Sequence, residues 1–325
     1  MAPEHAQAPT QPASSPLAPL DWRAQDLWLK AVALLPGLTV EVLAEVDSTN
    51  TALLARARSG DAGPCLLVAE HQTAGRGRQG RVWQSAPGAS LTFSLGLPLA
   101  PADWSGLSLA VGLALAEALD PANDRSAPRL GLKWPNDLLL IDAAGQRKTA
   151  GILVETVTLP GAASAGPGNP RFAVIGVGLN ILPRDTPDPD GPPLSNGYAC
   201  LSELDPAIDA PSALARVAPA LLRAVLDFAR SGFAPLQARY AARDVLAGRA
   251  VSTVSTRSAS QTSDRANGVA TGVADGVADG VDERGVLWLR VGAQRLPVAS
   301  GEVSVRAAAS GQSAPVPSAD SVPAP

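Results

Sequence analysis

The residues best suited to chemistry form one run, Glu70-His71-Gln72-Thr73-Ala74-Gly75-Arg76-Gly77-Arg78-Gln79-Gly80-Arg81-Val82-Trp83. It follows the apolar stretch Cys65-Leu66-Leu67-Val68-Ala69, so a strand ends and a flexible cationic loop begins. Gly75, Gly77 and Gly80 let the backbone aim its N–H groups at one point, a concave nest for an anion. Arg76, Arg78 and Arg81 add planar, charged forks suited to carboxylate or phosphate oxygens. An RGG-like segment that binds nucleic acid has the same composition, so the loop alone does not choose its ligand. The chain has no GxxxxGK[ST], which excludes a Walker loop, and the acidic follow-up of a dinucleotide fingerprint is absent.

Four other clusters carry functional side chains. Asp47-Ser48-Thr49-Asn50 supplies hydroxyls and an amide ahead of a helical stretch, and helix capping accounts for only one of them. Lys133-Trp134-Pro135-Asn136-Asp137 forms a polar turn between two apolar runs, as a simple hairpin would. Lys148 precedes the strand-like Ala150-Gly151-Ile152-Leu153-Val154-Glu155, where a lysine also reads as a solvated edge charge. Gly176 and Gly178, inside the strand-like 172–180 that ends on Asn180, signal close approach of backbone or ligand.

The elements that must position these groups follow from periodicity. A helix is expected over 22–35, stopped by Pro36-Gly37, with further helices over 51–58, 104–119, 211–233 and 236–245. Strands are expected over 39–43, 65–69, 91–95, 150–155 and 172–180, with two more on either side of the 133–137 turn. Short strands over 250–254, 285–291, 295–299 and 302–306 suggest a small SH3-like β-barrel. Between them, residues 256–283 are Ser-rich and then repeat Gly-Val-Ala-Asp, which reads as a low-complexity linker; the spacing fits no EF-hand. Residues 161–170 read as a hairpin insert, 183–193 as a long loop, and 1–20 and the segment after 306 as disordered. The expected division is an arm and short helix over 1–37, a catalytic domain over 38–245, a barrel over 246–308 and a tail over 309–325.

The chain has 325 residues, 46% hydrophobic, enough for two or three cores. A net charge of -4 offers no general attraction to DNA or acidic membrane, so the arginine cluster is a local device. Two cysteines, Cys65 and Cys200, and two histidines, His5 and His71, cannot supply zinc-ligand spacing, so no metal site is expected. Few cysteines and no signal-peptide pattern point to the cytoplasm, and no apolar stretch is long enough for a bilayer.

In their order along the chain, Ser48-Thr49-Asn50, the GRGRQGRVW loop, the KWPND turn, Lys148 to Glu155 and Gly176-Val177-Gly178-Leu179-Asn180 together resemble the biotin protein ligases, over roughly 39–306. The resemblance implies an α+β fold, a mixed-sheet catalytic domain of the biotin/lipoate ligase type with a small C-terminal SH3-like barrel. It implies ATP-dependent activation of biotin to biotinyl-5′-AMP, with Mg2+ on the phosphates, and transfer to a lysine of a biotin carboxyl carrier domain. No DNA-binding domain is recognised ahead of the helix at 22–35, so a ligase-only member is implied, with no nucleic-acid partner, as a monomer or weak homodimer.

Carried onto this chain, the resemblance makes Ser48, Thr49 and Gln72 hydrogen-bond partners of the biotin ring, with Asn50 beside them. Gly75, Arg76, Gly77 and Arg78 form a loop that closes over ligand, and Trp83 covers the adenine. Lys148 contacts the biotin carboxylate and the α-phosphate next to Gly151, Asn136 and Asn180 make second contacts, and Asp137 orients or deprotonates the incoming amine. Lys148, Arg78 and Asp137 are thus the expected catalytic residues. A lipoate or octanoate acyltransferase and a non-catalytic biotin-sensing regulator are the alternatives. The first requires a reactive cysteine or a different loop spelling, and the second gives no use to Lys148.

Overall fold

The computed structural model describes residues 20–121, 127–159, 169–184, 197–255, 274–298 and 303–307. The readings made for the arm, the hairpin insert, the long loop, the tail and residues 256–273 fall wholly or mostly outside them.

Seven strands form one mixed sheet: β1 (Thr39–Val46), β2 (Cys65–Gln72), β3 (Ser90–Leu99), β4 (Leu130–Lys133), β5 (Asp137–Asp142), β6 (Gly145–Val157) and β7 (Arg171–Asn180). Their order is β1-β2-β3-β7-β6-β5-β4; β1 and β2 are parallel and every other pair is antiparallel. Alternation along the central strands makes two different faces. Leu91, Phe93, Leu95 and Leu97 of β3 and Ala173, Ile175, Val177 and Leu179 of β7 point into one large core. That core is covered by α1 (Ala24–Val32), α3 (Leu107–Leu119) and α4 (Ala210–Ser231). α3 is apolar nearly all round because it is buried between sheet and α4, whereas α4 keeps a polar face.

The opposite face is small and polar in its middle. Ser94 pairs with Gly176 and Thr92 with Gly178 across β3 and β7, and Gly151 of β6 lies opposite Gly178 on the other side. Among the described residues one end of this face is capped by an apolar cluster, where α2 (Thr49–Arg58) packs Leu53, Leu54 and Ala57 on Leu67, Phe172 and Val174. The remainder is a shallow trough with glycine for a floor.

A second antiparallel sheet contains β8 (Ala250–Ser255), β9 (Ala274–Val281), β10 (Leu287–Val291), β11 (Gln294–Val298) and β12 (Val303–Ala307), in the order β11-β10-β9-β8-β12. This is the SH3-like module, with one correction. The Gly-Val-Ala-Asp repeat read as linker supplies β9. Glycine and aspartate are poor strand formers, which hid it, but here they do specific work. A Cβ at Gly276 would lie 2.8 Å from the carbonyl oxygen of Arg290, and Gly280 takes φ 75° where the pairing with β10 shifts register. Helix ends also differ from the periodicity: α1 begins at Ala24 rather than Trp22, α3 at Leu107, and α5 is confined to Gln237–Ala241.

The small module touches the turn between β4 and β5. Trp134 is buried and donates Nε1–H to the carbonyl of Gly285, 3.1 Å away, while Arg284 pairs with Asp103 at 2.7 Å. Gly285 itself lies so close to Gly106 that a Cβ would sit 2.7 Å from that residue's Cα.

Candidate active site

The cationic loop folds back on itself by its own bonds. Trp83 N–H donates to Gly75 O at 2.9 Å, Gly77 N–H to Arg81 O at 2.7 Å, and Arg76 forms a bridge with Val82. A Cβ at Gly75 would meet the Trp83 carbonyl oxygen at 2.2 Å, and Gly80 adopts φ 71°. The glycines therefore serve close approach and turning; Gly77 spends its N–H inside the loop, which corrects the expectation of an open nest at that position. The base is tied to the β1–α2 connection, Thr73 N–H to Val46 O and Ala74 N–H to Asp47 O. So the arginine loop and the Ser48-Thr49-Asn50 cluster share one wall.

That cluster is buried and directional. Ser48 caps α2, its Oγ accepting from Thr51 N–H. Gln72 Oε1 accepts from both the backbone N–H of Thr49 (2.8 Å) and its hydroxyl (3.0 Å). Two donors on the oxygen fix the amide, so its NH2 faces away from Thr49, toward Gly75. Ser94, fully buried and not singled out by any motif, reaches Asn50 Oδ1 at 2.6 Å and Thr49 Oγ1 at 2.7 Å. Asn50 lies on Gly176, where a Cβ would come within 2.2 Å of its Oδ1. Asn50 thus braces the cluster from beneath.

Lys148 arrives on the same face by a defect in β6. Ala150 pairs with Leu138 and Lys148 with Leu139, leaving Thr149 as an extra residue. Regular alternation from Gly151 would send Lys148 to the helix-covered core; the bulge returns it to the trough. The reading of Lys148 as a strand-edge charge is therefore corrected: β6 lies between β5 and β7. Its ammonium is 2.7 Å from Asp137 Oδ1, both side chains being about four-fifths buried at 21% and 22% exposure. It also stands 5.7 Å from the centre of the Trp83 ring. Asp137 is thus committed to Lys148, which differs from the expectation of a carboxylate poised only for an incoming amine.

The turn that carries Asp137 is clamped on all sides. The Trp134–Pro135 peptide is cis, Ser108 donates to Pro135 O at 2.9 Å, and Asn136 exchanges bonds with Ile152 of β6 at 2.9 and 3.0 Å. Asn136 Oδ1 accepts from Arg78 at 3.2 Å, so the loop touches this turn as well. Burial pulls the Arg78 guanidinium below its ordinary pKa, against the opposing field of Asp137, the mark of a cation partly stripped of water.

Trp83 lies flat on the glycine floor. A Cβ at Gly178 would be 2.2 Å from its indole, and one at Gly151 would be 3.1 Å away. Asn180 supports rather than lines the trough: its amide donates to the carbonyls of Lys148 (3.3 Å) and Ala199 (3.0 Å), holding the 197–199 segment beside β6. The structure thus gathers Ser48, Thr49, Asn50, Gln72, Gly75, Arg76, Gly77, Arg78, Trp83, Asn136, Asp137, Lys148, Gly151 and Asn180 around one trough. It adds Ser94 and Glu155. Nothing but the alternation of β3 could have signalled Ser94, and Glu155 was visible only as the last residue of a motif. A cavity of about 130 Å³ near Glu41, Arg56 and Cys65 lies at the far end of α2 and includes none of the trough residues.

Chemically, the arrangement offers fixed neutral donors and acceptors at one end, with Arg76 paired to Glu155 beside them, and the cations Arg78 and Lys148 at the other, over an apolar indole and a bare backbone. It suits a molecule with a polar neutral head, an apolar body and an anionic end. Comparison with known proteins agrees. Residues 42–168 match the Biotin/lipoate A/B protein ligase family. The chain is 36% identical over 273 residues to the biotin--[acetyl-CoA-carboxylase] ligase of Mycobacterium tuberculosis, covering 81% of this chain and 88% of that protein. It is 35% identical over 280 residues to the bifunctional ligase/repressor of Escherichia coli, covering 84% and 76%. Among solved structures, the biotin protein ligase from Aquifex aeolicus in complex with biotin and ATP superposes with a TM-score of 0.62 at 25% identity, covering 84% of this chain and all of that one. Fold, trough and kinship converge, and the chain belongs to the biotin protein ligase family.

Proposed function

We propose that the chain joins biotin to ATP as biotinyl-5′-AMP and then passes the biotinyl group to a lysine of a biotin carboxyl carrier domain. The observation that carries this reading is the convergence of Lys148, Arg78 and the Gln72–Thr49 pair on one glycine-floored trough. The ureido head of biotin would meet Ser48, Thr49 and the outward NH2 of Gln72, its ring system would lie along Trp83, and its carboxylate would end at Lys148.

In the first step a carboxylate oxygen attacks the α-phosphorus and the bond to the pyrophosphate oxygen breaks. Two anions must approach each other, so the work of the site is to offset their repulsion. Arg78, held by Asn136, and Lys148, exchanging Asp137 for the incoming anions, would supply the positive charge. Mg2+ would arrive on the nucleotide's phosphates. Among the described residues no group of three or more His, Cys, Asp or Glu could hold a metal ion, so the phosphates would be its main ligands. In the second step the carrier's lysine, as the free amine, attacks the acyl carbon and AMP leaves. Asp137 would take the ammonium's proton once Lys148 has turned to the phosphate.

An acyltransferase working through a cysteine gains no support. Burial pushes the Cys65 thiol up to about 11 and raises that of Cys200, so the reactive thiolate is disfavoured at both. No helix among the described residues is long and apolar enough to cross a membrane. The need for cytosolic ATP and carboxylase makes the cytoplasm the proposed compartment. Incubation with biotin, ATP, Mg2+ and a carrier domain should add one biotinyl group to the carrier by mass. An unmodified carrier, with no biotinyl-AMP in the quenched mixture, would sink the reading.

A further inference from the structure

Glu155 lies at the far end of the trough, on the face of β6 shared with Gly151 and Leu153. Its carboxylate takes both nitrogens of Arg76, Nη2 to Oε1 at 3.0 Å and Nη1 to Oε2 at 3.3 Å, across 79 residues of sequence. Oε2 also accepts from Asn50 Nδ2 at 2.9 Å. Asn50 in turn is braced by Ser94, which also bonds Thr49. One carboxylate therefore joins the cationic loop to the buried polar cluster. The Arg76 side chain is 46% exposed and that of Glu155 only 23%. A forked pair so far in water is directional but weak, which suits a contact that must part and re-form in each catalytic cycle.

We infer that Glu155 is a positioning residue: through Arg76 it latches the arginine loop down over the trough, and through Asn50 it ties that closure to the polar groups that receive the substrate's neutral head. The inference rests on the ligase reading only for its consequence in turnover; the latch itself is a property of the loop. With the loop down, an activated acyl-adenylate stays sheltered until a carrier lysine arrives. With the latch cut, the loop spends more time raised and the adenylate escapes.

The test uses the full-length protein as wild type, Glu155→Gln, Arg76→Gln and the double variant. Glutamine keeps one acceptor oxygen for Asn50 while removing the negative charge and the second acceptor that hold Arg76. Trypsin cuts after arginine, and nicking within 76–81 reports loop opening without any need for catalysis. We expect Glu155→Gln to speed nicking after Arg78 and Arg81 about two- to five-fold, the range a half-exposed ion pair can carry. Arg76→Gln should match it and the double variant should add nothing. Raising salt from 0.05 to 0.5 M should speed nicking in wild type and leave the variants unchanged. Release of biotinyl-AMP in the absence of carrier should rise by the same factor.

Nicking that is unchanged in Glu155→Gln, or single effects that simply add in the double, would overturn the latch. So would a lower KM for biotin in Glu155→Gln, since that would mean Glu155 competes with substrate for Arg76. Should Glu155→Gln fail to fold, the Arg76→Gln and salt arms decide alone. If wild type makes no adenylate, the ligase reading falls, while the trypsin comparison still settles the latch.

Discussion

Removing the Lys148 ammonium should do more than remove a cation, because it uncovers the carboxylate it neutralises. Lys148 and Asp137 are 2.7 Å apart and mostly buried, so their charges cancel for any anion entering the trough. Lys148→Ala should forfeit a transition-state contact worth about 10²- to 10³-fold in rate, the usual cost of one fixed donor to a developing charge. It also leaves Asp137 facing the same anions. For an anion about 6 Å from that carboxylate at an effective dielectric near 20, the repulsion is about 2.8 kcal/mol, or roughly 100-fold. Lys148→Ala should then be slower than wild type by about 10⁴- to 10⁵-fold. The double variant Lys148→Ala/Asp137→Asn should recover roughly 30- to 100-fold of that loss, although it carries one more substitution. Biotin-dependent exchange of pyrophosphate into ATP reads adenylation alone, so a contribution of Asp137 to the later amine step does not enter. A double variant no faster than Lys148→Ala would show that Asp137 is not within reach of the reacting anions, and the account of the pair would fail.

Three further outcomes are expected. Gly178→Ala puts a Cβ where the Trp83 indole stands at 2.2 Å, an overpacking cost of about 1–3 kcal/mol. With the indole on a loop that lifts as proposed for the Glu155 latch, the loss should appear as roughly 5- to 150-fold weaker biotin binding by calorimetry with little change in melting temperature; unchanged affinity would show that this floor is not used. Trp134→Phe removes the donor to Gly285 O and should lower stability by about 1–3 kcal/mol in urea, with kcat reduced because the Asp137 turn loses its outer support. Full activity in a destabilised variant would separate the small module from the site. The raised Cys65 thiol, at about 11, leaves roughly 0.1% thiolate at pH 8, so iodoacetamide should label the native protein hardly at all and the unfolded chain readily. The neutral thiol is the form the fold favours. Cys65 thus contributes stability below the unfolded pKa of about 8.5, and that contribution declines as pH rises toward 11. Cys65→Ala should flatten the fall in melting temperature across that range.

Much of the site is visible in sequence because loops and turns carry their own signals. Alternating glycine and arginine, a Trp-Pro-Asn-Asp turn and a pair of glycines in a strand each mark a local backbone requirement, and each sits in the trough. What is hidden depends on which strands lie side by side. Ser94 is one serine among apolar residues until β3 is paired with β7 and its hydroxyl arrives under Asn50. Glu155 has no evident role until Arg76 reaches it from 79 residues away. β9 was read as linker because its glycines lower strand propensity, while its packing against β8 and β10 outweighs that preference.

The bulge at Thr149 is the deeper case, since no residue type announces it, yet the proposed chemistry depends on its presence. Ala150 and Ile152 belong to the helix-covered core, so strict alternation would bury Lys148 at a face that offers it no counter-charge. One extra residue brings the ammonium to Asp137 and the trough, and the cost falls on Thr149, whose buried hydroxyl has no partner among the described residues. The lysine backbone is then held from both sides, its N–H donating to Gly197 O and its carbonyl accepting from Ala199 N–H and the Asn180 amide. Asn180, at the end of the glycine strand, thus secures with its side chain the distortion that turns Lys148 toward the trough. Substitution of Asn180 should therefore act on Lys148 even without touching a ligand.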